Sequence, residues 1–492
     1  MRILQLVENI KCEVLGSDTI ITGLSCDSRL VNEGEVFFAI SGLKFDGHDY
    51  VEEAVKNGAV AVVVEKTQNV APNITQIVVE NTRVAMGEMA AAYYQYPSSK
   101  LKVIGITGTN GKTTTSYLIR AVLKVAGYKV GLIGTIYNLI EDEIIPSKRT
   151  TPESLDLQRL LAEMVDKGVD YVVIEVSSHA LELQRTSGLE FDLGVFTNLT
   201  QDHLDFHNSF EQYFAAKAKL FNNLARQPAI LGKAAVINFD DKYGLKMAAQ
   251  SSAPIYSYGI NQPSHFSACD IQVGSRGVKY RLITPFGQMQ LNLNLTGKFN
   301  VYNSLAAAAV CLAEGIGLDY VKAGLEQVKG VFGRFESVDQ GQDFMVIVDY
   351  AHTPDSLANV LQTARSLSTN RVIAVFGAGG DRDQAKRPLM GQAAAKFSDY
   401  IIITSDNPRS EDPMLICRQI EKGVAQESKE DLLYEIEINR RTAINSAIRL
   451  AKTGDVVIIA GKGHETYQEF ADHTEAFDDR VEAERALKEL LT

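Results

Sequence analysis

Leu101–Ser116 reads LKVIGITGTNGKTTTS, and the rest of the chain is organised around it. The apolar pair Val103-Ile104 predicts a short buried strand, and Thr114 to Gly127 predicts a helix. Between them lies a loop with Gly105, Gly108 and Gly111, closed by Lys112-Thr113. Strand, glycine loop, Lys-Thr and helix make a phosphate-binding loop. Backbone N–H groups freed of side chains wrap an anion, and the helix start adds partial positive charge. Lys112 is placed to reach the terminal phosphates, and the Thr113 hydroxyl to ligate an accompanying magnesium ion. The strict pattern wants glycine six residues before the lysine, where this chain has Ile106. A glycine-rich turn ahead of a core helix is the plainer alternative.

At 492 residues the chain has room for about three domains, each with its own core. A formal net charge of −12 argues against a general nucleic-acid binder, which wants a basic surface, but not against small anionic ligands held by local cations. The five cysteines, Cys12, Cys26, Cys269, Cys311 and Cys417, are dispersed without a CxxC pair, and read as free thiols in a reducing compartment. The opening MRILQLVENIKCE has no apolar signal region, and no run approaches 18 apolar residues, so a cytoplasmic protein without a membrane span is expected.

The expected fold class is α/β in three domains. Residues 1–98 alternate strand and helix, with Val36–Ile40 and Ala59–Val64 as strands and Pro97-Ser98-Ser99 as a linker. Residues 99–331 carry short apolar runs at Val130–Ile133, Tyr171–Val176, Leu193–Phe196 and Ala234–Ile237, the pattern of a mostly parallel sheet covered on both faces. An antiparallel insertion is expected over Phe266–Leu295, then an Ala-rich helix over Asn300–Ala313. Residues 332–492 repeat the doubly wound pattern with strands Met345–Val348, Val372–Phe376, Tyr400–Thr404 and Val456–Ala460.

Such sheets bind ligands at the carboxyl ends of their strands, and the unusual residues fall there. Glu175-Val176-Ser177-Ser178-His179 follows one strand, and Thr197 to His207 (TNLTQDHLDFH) follows another. Glu175 and His207 beside Thr113 would make a metal and phosphate shell, because magnesium takes oxygen ligands and tolerates an imidazole. Glu175 reads equally as a helix-capping acid, and His203 and His207 as satisfied histidines. Arg334 suits transferring phosphoryl charge, or a surface ion pair, and Asp349 at a strand end suits ribose hydroxyls. Three further loops carry Arg382, then Asp406-Asn407-Pro408-Arg409, then Gly461-Lys462-Gly463-His464-Glu465. Arginine forks grip carboxylates and a glutamate grips an ammonium, so the set suits an amino acid.

Taken together and in order, TGTNGKTTT, EVSSHAL, FTNLTQDHLDFH, YFAAKAKLF, GRFE, DYAHTPDSL, FGAGGDRD, DNPR and GKGHETYQ resemble the Mur ligases over essentially the whole chain. The resemblance implies ATP-dependent amide-bond formation through an acyl phosphate in peptidoglycan precursor synthesis, and with it a part in cell shape and division. It implies an N-terminal domain for a UDP-muramoyl peptide, a central ATPase domain and a C-terminal amino-acid domain. ATP and Mg2+ are the implied cofactors, and a monomer is expected. Carried over by motif, nucleotide contacts fall on Gly108, Thr109, Asn110, Gly111, Lys112, Thr113, Thr114, Asn303, Arg334 and Asp349. Contacts to UDP-N-acetylmuramoyl-L-alanyl-D-glutamate fall on Cys26 (leucine in the family), Ser28, Leu43, Lys44, Phe45, Thr150, Thr151, Ser177 and Arg185. Lys217 matches the family's carbamylated lysine, a ligand to a second magnesium, and would be catalytic beside Lys112, Glu175 and His207. The amino-acid site maps to Arg382, Asp406, Asn407, Pro408, Arg409, Gly461 and Glu465, and DNPR is the family's mark for meso-diaminopimelate over L-lysine. A folylpolyglutamate synthetase shares the loop but not the first 100 or so residues. A small-metabolite kinase gives no reason for the C-terminal Arg, Asn and Glu loops, and a non-catalytic nucleotide switch none for Lys112, Thr113, Glu175 and Lys217 together.

Overall fold

The computed structural model describes residues 1–42, 45–224, 233–427 and 431–491. The strand ahead of the glycine loop is Lys102–Thr107, and the helix behind it is Lys112–Val125. Val103, Ile104 and Ile106 have no solvent exposure, and burying each such side chain contributes about 1.5–3 kcal/mol. Ile106 therefore belongs to the strand's core face, which explains why a glycine is dispensable there.

That strand sits near the middle of an eleven-stranded sheet. Seven strands run parallel, in the order Phe266–Gly274, Ile255–Gly259, Ala234–Asn238, Leu193–Phe196, Lys102–Thr107, Tyr171–Glu175 and Val130–Ile133. The expected antiparallel insertion extends one edge as Gly277–Thr284 and Gly287–Leu293. At the other edge an unexpected hairpin, Tyr137–Ile140 with Glu143–Pro146, extends it again. Its two-residue turn puts Glu141 at φ 56°, a conformation usually marked by Asn-Gly or Asp-Gly, so no turn signal betrayed it. Apolar layers cover both faces, one built on Ala306–Cys311 and the other on Leu157–Met164 and Leu220–Phe221.

The N-terminal sheet has the order Cys12–Leu15, Thr75–Val79, Ala61–Val64, Glu35–Phe38 and Gly23–Ser25, all parallel except its first pair. The expected linker at Pro97-Ser98-Ser99 is instead a 3-10 turn, Pro97–Lys100, with Pro97 and Ser98 buried, so the chain passes into the central sheet without a free tether. The third sheet has the order Glu336–Val338, Met345–Asp349, Val456–Ala460, Val372–Phe376, Tyr400–Ile403 and Leu433–Ile436, parallel after the first strand. Its parallel strands all end at one edge, which faces the central sheet's phosphate loop. Among the described residues no helix is long and apolar enough to cross a membrane.

Candidate active site

The phosphate loop is built as the sequence predicts and is strapped from the far side. Gly111 takes φ 86°, and a Cβ there would stand 2.5 Å from the Asn303 side-chain oxygen, so only glycine admits that residue. Asn303 is buried, donates to Asn300 Oδ1 at 2.9 Å and accepts from Thr115 Oγ1. Thr109 and Asn110 are pinned by main-chain N–H bonds to Asn198, each 2.9 Å, and Thr114 is buried in the first helical turn. Lys112 Nζ donates to the carbonyls of Gly108 and Thr109 at 2.8 and 2.9 Å.

Lys217, 1% exposed, reaches the same Gly108 carbonyl at 2.9 Å and lies over the Tyr213 ring. Two ammonium groups converging on one buried oxygen are unfavourable. Burial and the neighbouring Lys112 hold the Lys217 amine well below the usual lysine range.

Glu175 ends its strand with no exposure. It accepts from Thr113 Oγ1 at 2.9 Å, Thr135 Oγ1 at 2.8 Å and Thr135 N at 3.1 Å. It therefore does not cap a helix; Ser177 does that. Thr135 Oγ1 lies 3.1 Å from Thr150 Oγ1. Thr151 Oγ1 donates to Glu175 O at 2.7 Å and accepts from Ser177 N. Arg185 lies 3.0 Å from Glu153 and donates to Thr151 O. Four residues expected to touch the peptide are thus gathered around Glu175.

From the C-terminal sheet, Arg334 crosses to the loop and donates to Thr113 Oγ1 at 3.0 Å. Asp349 has a structural task in this loop. Its two oxygens accept main-chain N–H bonds from Phe335 (2.6 Å) and Ala351 (2.7 Å), so it anchors the Arg334 loop as well as ending its strand.

His207 sits deeper. Its ring lies 5.1 Å from Tyr213 within an aromatic cluster with His179 and Phe206, and burial holds it neutral, with a pKa lowered to about 4. It is not among the residues lining the cleft, and its buried Nε2 has no hydrogen-bond partner among the described residues. His203 does line the cleft, at a left-handed φ of 55°. Its partner Asp202, 4% exposed, lies 3.6 Å from Lys386 and 3.9 Å from His352 of the C-terminal sheet. Lys386 carries no motif and was not anticipated; His203 and His352 sit in stretches that the sequence had marked.

The cleft between the two sheets has a volume of about 570 Å³. One wall carries Thr135, Tyr137, Arg149 and Thr150, and the other Arg382, Asp406, Asn407, Arg409, Gly461 and Glu465. Pro408 lies behind that wall, its carbonyl packed on Gly380. Lys462, with no exposure, donates to Asn407 Oδ1 and Tyr467 O, each 2.7 Å, and lies 3.5 Å from Asp406. Asn407 Nδ2 in turn donates to Glu465 Oε2 at 2.9 Å. The Asn407 amide thus holds Glu465 and Lys462 in place along this wall. Burial and the nearby Asp406 raise the Glu465 pKa.

On the N-terminal sheet Ser28 is buried and donates to Glu53, and Cys26 packs toward Leu155 with its thiol pushed up to about 11 by burial. Phe45 is 71% exposed. Leu43 and Lys44 lie outside the described residues.

Three family models match in the order this geometry requires. Mur ligase family, catalytic domain, matches 20–94; Mur ligase middle domain matches 106–311; and Mur ligase, glutamate ligase domain, matches 333–463. The chain belongs to the Mur ligase family. Among Mur ligases it is similar to two proteins named UDP-N-acetylmuramoyl-L-alanyl-D-glutamate–2,6-diaminopimelate ligase. That of Caldanaerobacter subterraneus subsp. tengcongensis is 47% identical over 99% of both chains, and that of Geobacillus thermodenitrificans is 49% identical over 96% of both. A solved structure bearing the same name is 33% identical over 96% of both chains, with a TM-score of 0.66. A Mycobacterium tuberculosis folylpolyglutamate synthase shares the fold at 19% identity and TM-score 0.63, but covers 78% of this Mur ligase.

Proposed function

We propose that this Mur ligase joins meso-2,6-diaminopimelate to the D-glutamyl carboxylate of UDP-N-acetylmuramoyl-L-alanyl-D-glutamate, with ATP converted to ADP and phosphate. The single observation that carries this reading is the cleft. Its Thr135 wall is one hydrogen bond from the Glu175–Thr113 pair of the phosphate loop, and its opposite wall carries the Arg, Asn and Glu of an amino-acid site.

A carboxylate oxygen of the acceptor attacks the terminal phosphorus of ATP, and ADP leaves. The amine then adds to the acyl carbon and loses its proton, and phosphate departs with the former carboxylate oxygen. No nucleophilic side chain is needed; positioning and charge neutralisation supply the rate. Lys112 and Arg334 offset phosphoryl charge from two sides, and Asn303 closes the nucleotide end. Thr150, Thr151, Ser177 and Arg185 hold the peptide, with Cys26, Ser28 and Phe45 toward its UDP end.

The donor set fits magnesium. Thr113 and Glu175 are hard oxygen ligands, Lys217 is a buried amine whose charged form is disfavoured and which suits carbamylation, and His203 is an imidazole that faces the cleft. Bound there, Mg2+ would neutralise phosphate oxygens. The UDP-linked acceptor and ATP assign the reaction to the cytoplasm.

Arg409, half-buried, and Arg382, exposed, both line this wall and favour an amino acid with a second carboxylate, which a guanidinium fork can pair. Phosphate release from ATP, Mg2+ and the UDP-dipeptide is expected with meso-diaminopimelate and not with L-lysine. Release with lysine alone would overturn the amino-acid assignment, and release with neither would overturn the ligase reading.

A further inference from the structure

Arg409 sits at φ 51°, an unusual backbone state for a side-chain-bearing residue, and it is held there from behind. Its main-chain N–H donates to Glu469 O at 3.1 Å, and its Nε donates to Glu469 Oε2 at 2.8 Å. Nη1 donates to Gly380 O at 2.8 Å. A guanidinium is a rigid plane of five N–H donors. With Nε tied to Glu469 and Nη1 tied to Gly380, Nη2 has no protein hydrogen bond among the described residues, and Arg409 lines the cleft. Glu469 itself does not line the cleft. It belongs to Tyr467–Glu469, which pairs with Thr474–Ala476 in a two-stranded hairpin apart from the six-stranded sheet.

We infer that Glu469 is a positioning residue of the amino-acid subsite, fixing the Arg409 fork so that Nη2 meets the far carboxylate of a diacid amine. The inference rests on the reading of this wall as the diaminopimelate subsite. An untethered arginine samples many rotamers and loses that freedom on binding; one already held loses less. The carboxylate contributes this separately from the loop path, because the main-chain bond to Glu469 O survives any side-chain change.

The test measures KM for meso-diaminopimelate, ATP and the UDP-dipeptide, together with kcat and Tm, in the wild type, Glu469→Ala, Glu469→Gln, Arg409→Ala and the Ala/Ala double variant. Glu469→Ala is expected to raise the diaminopimelate KM about tenfold, with kcat and the other two KM values within about twofold. Glu469→Gln keeps an acceptor for Nε and restores most of the affinity. In the Arg409→Ala background the Glu469 change adds nothing. A normal diaminopimelate KM in Glu469→Ala, with a raised one in Arg409→Ala, overturns the inference and leaves the subsite standing. A normal KM in Arg409→Ala overturns both. Equal rises in all three KM values, or the same Glu469 effect without Arg409, also overturn it, since either result describes a general distortion.

Discussion

Lys217 is the residue whose chemistry depends most on its surroundings. A lysine at an exposed helical position would be a solvated cation, but here the amine is buried and shares the Gly108 carbonyl with Lys112. The sign of the effect is fixed: burial and the like charge of Lys112 both disfavour the ammonium and favour the neutral amine, the form whose lone pair attacks CO2. Activity is therefore expected to fall severalfold in CO2-depleted buffer and to return on adding bicarbonate, measured as the initial rate of phosphate release. An unchanged rate after exhaustive CO2 removal would show that the lysine works unmodified. At this scale the sequence was readable where a motif sets a residue's place, as for Lys112, Thr113 and Glu175, which meet around one loop. It was not readable where the role depends on which way a side chain turns. His203 and His207 lie four residues apart in one motif, yet His203, at a left-handed φ of 55°, lines the cleft while His207 packs on Tyr213.

At the scale of elements, the amino-acid wall is a set of loops packed backbone to backbone. A Cβ on Gly380 would stand 1.8 Å from the Pro408 carbonyl oxygen, a clash no side-chain rotation relieves. Gly380→Ala must move the Asp406–Arg409 loop or its own, and Arg409 loses its seat on Gly380 O. The expected outcome is a loss of diaminopimelate affinity of tenfold or more with little change in ATP affinity, read as separate KM values. Equal loss for both substrates would mean the disturbance spreads to the phosphate loop. Long, strongly patterned strands such as Val372–Phe376 and Val456–Ala460 were legible to the residue, because a parallel sheet buried on both faces leaves an unbroken apolar run. The Tyr137–Pro146 hairpin was hidden because its turn uses Glu141-Asp142, and the Pro97 turn because a proline and two serines look like a tether whether or not they are buried.

For the whole molecule, function requires the phosphate loop of one sheet and the amino-acid loops of another to meet. Among the contacts that make that meeting are Arg334 to Thr113, Asn110 to Asp355 at 3.0 Å, and Asp202 to Lys386. None could be read from the chain, since each joins residues more than 180 positions apart. The order of the motifs did foreshadow which loops must converge. The central claim is that the energy of ATP reaches the new amide through an acyl phosphate formed in this cleft. Its most direct test supplies UDP-N-acetylmuramoyl-L-alanyl-D-glutamate labelled with 18O in both oxygens of the accepting carboxylate, with ATP, Mg2+ and meso-diaminopimelate, and weighs the phosphate released. One 18O in each phosphate is the predicted result; phosphate free of label would contradict the account.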